Sequence, residues 1–125
     1  MELKTIHADD RGSINLLLGD LKNYEEVTVF KTNAGYARGG CIHNINDEFV
    51  CVIEGCIHYY TPRLETPIVL TAGQSTVIQK STPHYFVSIT DSIVMEWGAT
   101  AEEKKVKQSL YRAVVDHIND VRSKQ

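Results

Sequence analysis

Gly35 to Gly55 reads GYARGGCIHNINDEFVCVIEG. One cysteine, one histidine and the acid pair Asp47-Glu48 are packed ahead of an apolar run that stops at a glycine. Cys41 and His43 are two residues apart, so on a strand both side chains leave the same face. Asn44 to Asp47 has turn composition, and Glu48 opens a second strand. Antiparallel pairing of the two strands would bring Glu48 close to Cys41 and His43. So polar a group beside a buried strand reads as a site, and the rest of the chain as its container.

Outward from this stretch the pattern is strand after strand. Upstream, DDRG at residues 9–12 is a polar turn, Ser13–Leu18 (SINLLL) a strand closed by Gly19-Asp20, and Tyr24–Thr32 a strand of alternating pattern. Downstream come Cys56–Thr61, Ile68–Leu70, Ser75–Gln79, Tyr85–Ile89 and Ile93–Trp97, divided by Gly, Pro, Asp and Ser turns. The two prolines of TPRLETP, residues 61–67, require a loop or a sheet edge. Nine or ten short strands without an intervening helix specify an all-β sandwich or barrel over residues 13–97. After Gly98 the period changes. Thr100 and Glu103 form a capping box, and Val106, Leu110, Ala113, Val114, His117, Ile118 and Val121 recur at helical spacing. This predicts one amphipathic helix over 101–122, lying against the barrel or a partner subunit, with His117 facing the barrel.

The 125 residues make a single domain, 1–125, with 42% hydrophobic and 23% charged residues and a net charge of −3. Scattered basic residues argue against a nucleic-acid partner. No apolar window is long enough to span a membrane, and MELKTIHADD lacks the apolar core of a signal peptide. Three cysteines do not make a disulfide framework, and Cys51 and Cys56 read as buried thiols. The expected location is the cytoplasm.

Two chemistries fit the polar residues. Cys41, His43, Glu48 and His84 offer a thiolate, two imidazoles and a carboxylate, a donor set suited to Zn or Fe. Alternatively His43 and His84 titrate near neutrality and could move a proton with Tyr59, Tyr60 or Tyr85 on neighbouring strands. His58 shares a strand face with Tyr60, either in the pocket or on the surface. Arg38, ahead of Gly39-Gly40, suits bidentate contact with a phosphate or carboxylate.

The stretch resembles the first motif of the cupin superfamily: Gly35, five residues, Cys41-x-His43, four residues, Glu48, six residues, Gly55. Gly73–Ser88, with Pro83-His84, resembles the second. The resemblance implies a single jelly-roll β-barrel with one C-terminal helix. The DDRG turn, Arg38-Gly39, the VCVIEG strand end and YRAVVDHI are similar to the sugar-nucleotide branch of dTDP-4-keto-sugar 3,4-ketoisomerases and 3,5-epimerases. That branch implies proton transfer through an enediolate without a required cofactor. His43 would be the base, His84 or a tyrosine such as Tyr60 its partner, and Arg38, His58 and Tyr85 substrate contacts. Cys41 stands where the family has its first histidine, Thr28 falls near a tyrosine of the ketoisomerases, and Glu48 is the ligand residue of metal-binding cupins. The alternative is therefore a metal-binding cupin holding Zn or Fe through Cys41, His43, Glu48 and His84, as an oxygenase or a ligand-binding module. The expected partners are a small molecule, such as a nucleotide sugar, and a second copy of the chain, since jelly-roll edges need cover.

Overall fold

The computed structural model describes residues 2–18 and 26–125. The Gly19-Asp20 turn and the Tyr24-Glu25 start of the third expected strand lie outside the described residues. Ten strands are seen among the described residues: β1 Glu2–Asp9, β2 Gly12–Leu18, β3 Val27–Thr32, β4 Ala37–Cys41, β5 Glu48–Glu54, β6 Cys56–Tyr60, β7 Ile68–Thr71, β8 Ser75–Ile78, β9 His84–Ser88 and β10 Ser92–Trp97. They form a six-stranded sheet, β1-β2-β3-β10-β5-β8, and a four-stranded sheet, β4-β9-β6-β7. This is a jelly-roll sandwich of two sheets. β1 is the strand that the polar reading of residues 1–12 passed over; all eight of its residues are exposed, so it carries no alternation of buried and solvated positions.

The core is set by period-two alternation. Val50 and Val52 of β5, Ile57 and Tyr59 of β6, Phe86 of β9 and Val94 of β10 turn inward and pack with Leu70 and Ile78. Val50, Val52, Ile57 and Val94 are fully buried. The expected pairing of β5 back on β4 does not occur. β4 pairs with β9, placing Cys41 opposite His84, whereas β5 pairs with β10 and β8 in the other sheet. Cys41 and His84 thus come from one wall, and Glu48 faces them from the other. The Asn44–Asp47 segment carries the chain from one sheet to the next, where a two-residue hairpin turn would have kept it in the same sheet.

The helical region differs from the expected 101–122. The Thr100–Glu103 capping box forms, with the Glu103 amide donating to Thr100 Oγ1 (3.3 Å) and Glu103 Oε2 accepting from the Thr100 amide (2.8 Å), but it opens only a 3-10 turn, Glu103–Lys105. Residues 106–108 are then extended, and helix α1 runs Ser109–Ser123 with the Gln108 side chain accepting from the Tyr111 amide. The extended piece runs along the free edge of β4: Ile42 N–H donates to Val106 O and Gln108 N–H to Gly40 O, each at 3.0 Å. α1 continues the cover. Asn119 accepts from Ala37 N–H (2.7 Å) and donates to Ala37 O (3.0 Å), acting as a side-chain strand partner. An exposed edge is thereby closed. Gly40, at φ +76°, makes this approach feasible, since a Cβ there would lie 2.7 Å from the Arg112 Cα. The helix docks by Val115 and these polar tethers, while Leu110, Val121 and His117 are exposed; His117 does not face the barrel.

Candidate active site

A cavity of about 560 Å³ opens between the sheets. Its inner surface includes Cys41 and His84 from the four-stranded sheet and Glu48 and Glu96 from the six-stranded sheet, with Tyr59 and Phe86 alongside.

His43 and His84 are prepared in the same way. His43 Nδ1 lies 2.6 Å from Asn46 O and His84 Nδ1 2.8 Å from Thr82 O. A carbonyl only accepts, so each Nδ1 carries the proton and each Nε2 presents a lone pair. The rings meet edge to face at 5.0 Å. One ligand atom from each of His43, His84 and Glu48 lies within 4.8 Å of the others, and His84 Nε2 is 3.8 Å from Glu48 Oε1. His43 Nε2 is buried without a hydrogen-bond partner among the described residues. Burial lowers the pKa of both imidazoles, that of His84 to about 4, so both are neutral near pH 7. Imidazoles tied through Nδ1 to backbone carbonyls and grouped with one carboxylate fit a divalent cation.

Cys41 stands beside this trio, its Sγ 3.8 Å from His84 Nε2. Burial, reinforced by the charge of Glu48, pushes its thiol up to about 11, so without a metal beside it the thiol keeps its proton at neutral pH.

Two residues that the sequence reading passed over complete the centre. Glu96 enters from β10, whose alternate residues Ser92, Val94 and Glu96 are buried. Burial, then the neighbouring Glu48, raises its carboxyl to about 7, against the pull of Lys104. Lys104 reaches in from the 3-10 turn, its Nζ 3.0 Å from Glu48 Oε2 and 3.1 Å from Glu96 Oε2. The first contact is an ion pair outside hydrogen-bonding geometry, which leaves Glu48 Oε2 without a hydrogen-bond partner. Burial alone would lower the pKa of Lys104, but Glu96 and Glu48 outweigh it and raise it. The strand alternation in SIVMEW, with Glu96 in phase with Val94, was the signal that could have identified Glu96. Lys104 has no such signal, because its position depends on the tertiary path of the turn.

Arg38 is buried and lines the cavity. Its Nε donates to Thr32 Oγ1 at 2.8 Å and its Nη2 to Lys31 O at 3.3 Å. Nη1 has no partner among the described residues. Burial lowers its pKa to about 10, which still leaves it a cation at neutral pH. The Phe30 ring lies 5.4 Å from the Arg38 guanidinium and 5.8 Å from Lys104 Nζ. Arg11, Lys105, Lys107 and Arg112 also line the cavity, with Arg11 paired to Asp9, Lys105 to Glu102 and Arg112 to Asp116.

Tyr60, His58 and Tyr85 are placed elsewhere. The burial of β6 alternates, with Ile57 and Tyr59 inward and His58 and Tyr60 half-buried on the outer face. Tyr60 pairs with Tyr85 across β9 and stacks on it at 4.7 Å, and Tyr111 of α1 meets Tyr85 edge-on at 5.2 Å. These aromatics dock the helix. The tyrosine of the cavity is Tyr59, stacked on His84 at 5.7 Å and kept a neutral phenol by burial. Cys51 and Cys56 are half-buried free thiols rather than core residues.

No family model and no curated protein matches the sequence. Solved structures do. KdgF from Halomonas sp. superposes with a TM-score of 0.66 at 15% identity, covering 79% of this chain and 88% of that one. An RmlC-like cupin from Desulfovibrio desulfuricans gives 0.62 at 25% identity over 75% and 88%. A sugar phosphate isomerase of the cupin superfamily from Silicibacter pomeroyi gives 0.57 at 22% identity over 70% and 60%. The two-sheet topology, the position of the His/Glu/His trio between the sheets and these superpositions agree: the chain has the RmlC-like cupin fold.

Proposed function

We propose that this chain is an isomerase or epimerase that moves a proton α to the carbonyl of a small anionic sugar derivative, a sugar phosphate or a nucleotide-linked keto sugar. The observation that carries this reading is the buried Arg38 guanidinium on the cavity wall, held by a hydroxyl and a backbone carbonyl rather than by a carboxylate among the described residues. An uncompensated cation in a low-dielectric cleft selects an anion. Arg38, with Nη1 unsatisfied, is the anchor for its phosphate or carboxylate. Glu96, near 7, has the affinity for a proton that a general base requires at neutral pH. Lys104 supplies a fixed positive charge beside it, where an enediolate would develop.

His43, His84 and Glu48 are the residues that would hold a divalent metal. A bound metal would act as a Lewis acid on the carbonyl. The resemblance to a sugar phosphate isomerase of known structure supports the substrate class by analogy of fold. A second reading, a metal-binding cupin that holds a ligand without turnover, is favoured by the grouping of His43, His84 and Glu48.

The deciding experiment offers keto-sugar phosphates and dTDP-4-keto-6-deoxyglucose to the protein in D₂O, with and without added Zn²⁺ or Fe²⁺. Deuterium appearing α to the carbonyl, lost in Arg38→Met, supports the enzyme. Saturable binding with no exchange in any member of the panel replaces it with the second reading.

A further inference from the structure

Glu103 is a buried carboxylate that the proposed proton transfer leaves unused. Part of its hydrogen bonding belongs to the capping box with Thr100. The rest reaches across the fold to the segment between β4 and β5. Oε1 accepts from the Ile45 amide (3.2 Å) and the Asn46 amide (2.9 Å), and Oε2 accepts from Asn46 Nδ2 (2.9 Å). A helical turn needs none of these three bonds for its own capping. Two of the three go to Asn46, the residue whose carbonyl accepts the Nδ1–H of His43 at 2.6 Å.

We propose that Glu103 is a positioning residue of the reactive centre: by clamping Asn46 it holds His43 as the Nδ1–H tautomer and aims its Nε2 at Glu48 and His84. The inference rests on the reading of that trio as the working centre. A neutral imidazole has two tautomers of similar energy, and a fixed carbonyl selects between them. Residues 42–47 are in no strand and 44–47 are exposed; the segment is tied at its ends, by the Ser81 amide to His43 O and the Lys80 amide to Asp47, and Glu103 is the tether at Ile45 and Asn46 between them. Glu103 supplies that restraint from the chain beyond the barrel. The same turn presents Lys104 to Glu48 and Glu96, so one 3-10 turn organises both sides of the centre. A glutamine at 103 would turn an N–H₂ group toward N–H donors and release one side of the clamp.

The test compares wild type, Glu103→Gln and Thr100→Val, the last removing only the capping hydroxyl. Two-bond ¹H–¹⁵N spectra of the histidines report the tautomer without any metal or substrate. Wild type and Thr100→Val show His43 with Nδ1 protonated, and Glu103→Gln shows a mixture. Titration with Co²⁺ alone gives an affinity about tenfold or more weaker for Glu103→Gln, the scale of an outer-shell hydrogen-bond loss. A pure Nδ1–H tautomer with unchanged Co²⁺ affinity in Glu103→Gln overturns the proposal, as does Thr100→Val changing His43 equally. Should Glu103→Gln fail to fold, Glu103→Asp takes its place, its carboxylate one methylene too short to hold Thr100 and the Ile45 and Asn46 amides together, with tautomer mixing expected and an unmixed tautomer refuting the clamp. Absence of Co²⁺ binding by wild type would remove the metal clause of the proposed function and leave the tautomer result to decide this inference.

Discussion

The Lys104 ammonium lies 3.0 Å from Glu48 and 3.1 Å from Glu96, two carboxyl groups buried in adjacent strands of one sheet. Two acids so close in a low dielectric repel one another, and the lysine is the cation that permits both to remain there. Lys104→Met leaves the pair uncompensated and should lower stability by about 3 kcal/mol, the usual cost of breaking a buried ion pair. Adding Glu96→Gln to that variant should recover part of the loss. Urea unfolding of the single and double variants measures both. Equal stability of Lys104→Met and wild type would show that the pair does not need its cation.

The outward placement of Tyr60 separates helix docking from ligand binding. Tyr60→Ala removes the stacking on Tyr85 and with it support for Tyr111 and α1, at a cost of about 1 kcal/mol beyond lost burial. Binding of a sugar phosphate, followed by calorimetry, should be unchanged within twofold. A loss of affinity matching that of Arg38→Met would contradict this placement.

The protonation of His84 is open to direct observation. Burial holds its pKa at about 4, below the ordinary 6.5. Between those values the unfolded chain takes up a proton that the folded chain refuses, so the stability contributed by neutral His84 is complete above 6.5 and is lost as pH falls toward 4. Glu96 opposes this. Its folded pKa of about 7 exceeds 4.5, so its contribution is complete below 4.5 and is lost as pH rises through 7. Because the two overlap, the His84 Cε1 proton resonance is the cleaner probe. It should stay flat from pH 8 to 5 in the metal-free protein, and a midpoint near 6.5 would mean that the ring is solvated.

Phe49 and Val77 are cross-strand neighbours on the outer face of the six-stranded sheet; both are exposed, as is Ile53, and Trp97 stacks on Phe49 at 5.7 Å. We propose that a second copy of the chain covers this face, because apolar faces of antiparallel sheets are ordinarily packed. Gel filtration should give about twice the 14.1 kDa chain mass, reduced to the monomer in Val77→Lys. A wild-type mass near 14 kDa would refute the dimer.

Much of this architecture was legible in the sequence because strand alternation is a local property. The strands from Gly12 to Trp97 fall close to where turn residues divide the chain, and Ile57/Tyr59 were correctly separated from His58/Tyr60. Which face was inside was not legible, since an aromatic strand such as CIHYY is apolar on both sides. The site was legible in part. His43, Glu48 and His84 converge as the family resemblance implies, but His84 and Glu48 come from opposite sheets and His43 from the segment after β4, not from one hairpin. The Thr100–Glu103 capping box was legible, but the reach of Glu103 to Asn46 and of Lys104 to Glu48 and Glu96 was not, because a polar turn followed by a helix reads as the start of that helix. Its path along the edge of β4 is fixed by contacts with residues some sixty positions earlier.

The central claim, that this cavity enolises an anionic carbonyl sugar with Glu96 as its base, is tested most directly by deuterium wash-in followed by proton NMR in wild type and Glu96→Gln. Wild type should lose the signal α to the carbonyl at a rate that rises with pH through about 7, as deprotonation of Glu96 requires. Glu96→Gln should be slower by about a hundredfold or more, the scale of a lost general base, and without that pH dependence. Equal rates in the two proteins, or no wash-in by wild type, would contradict the account.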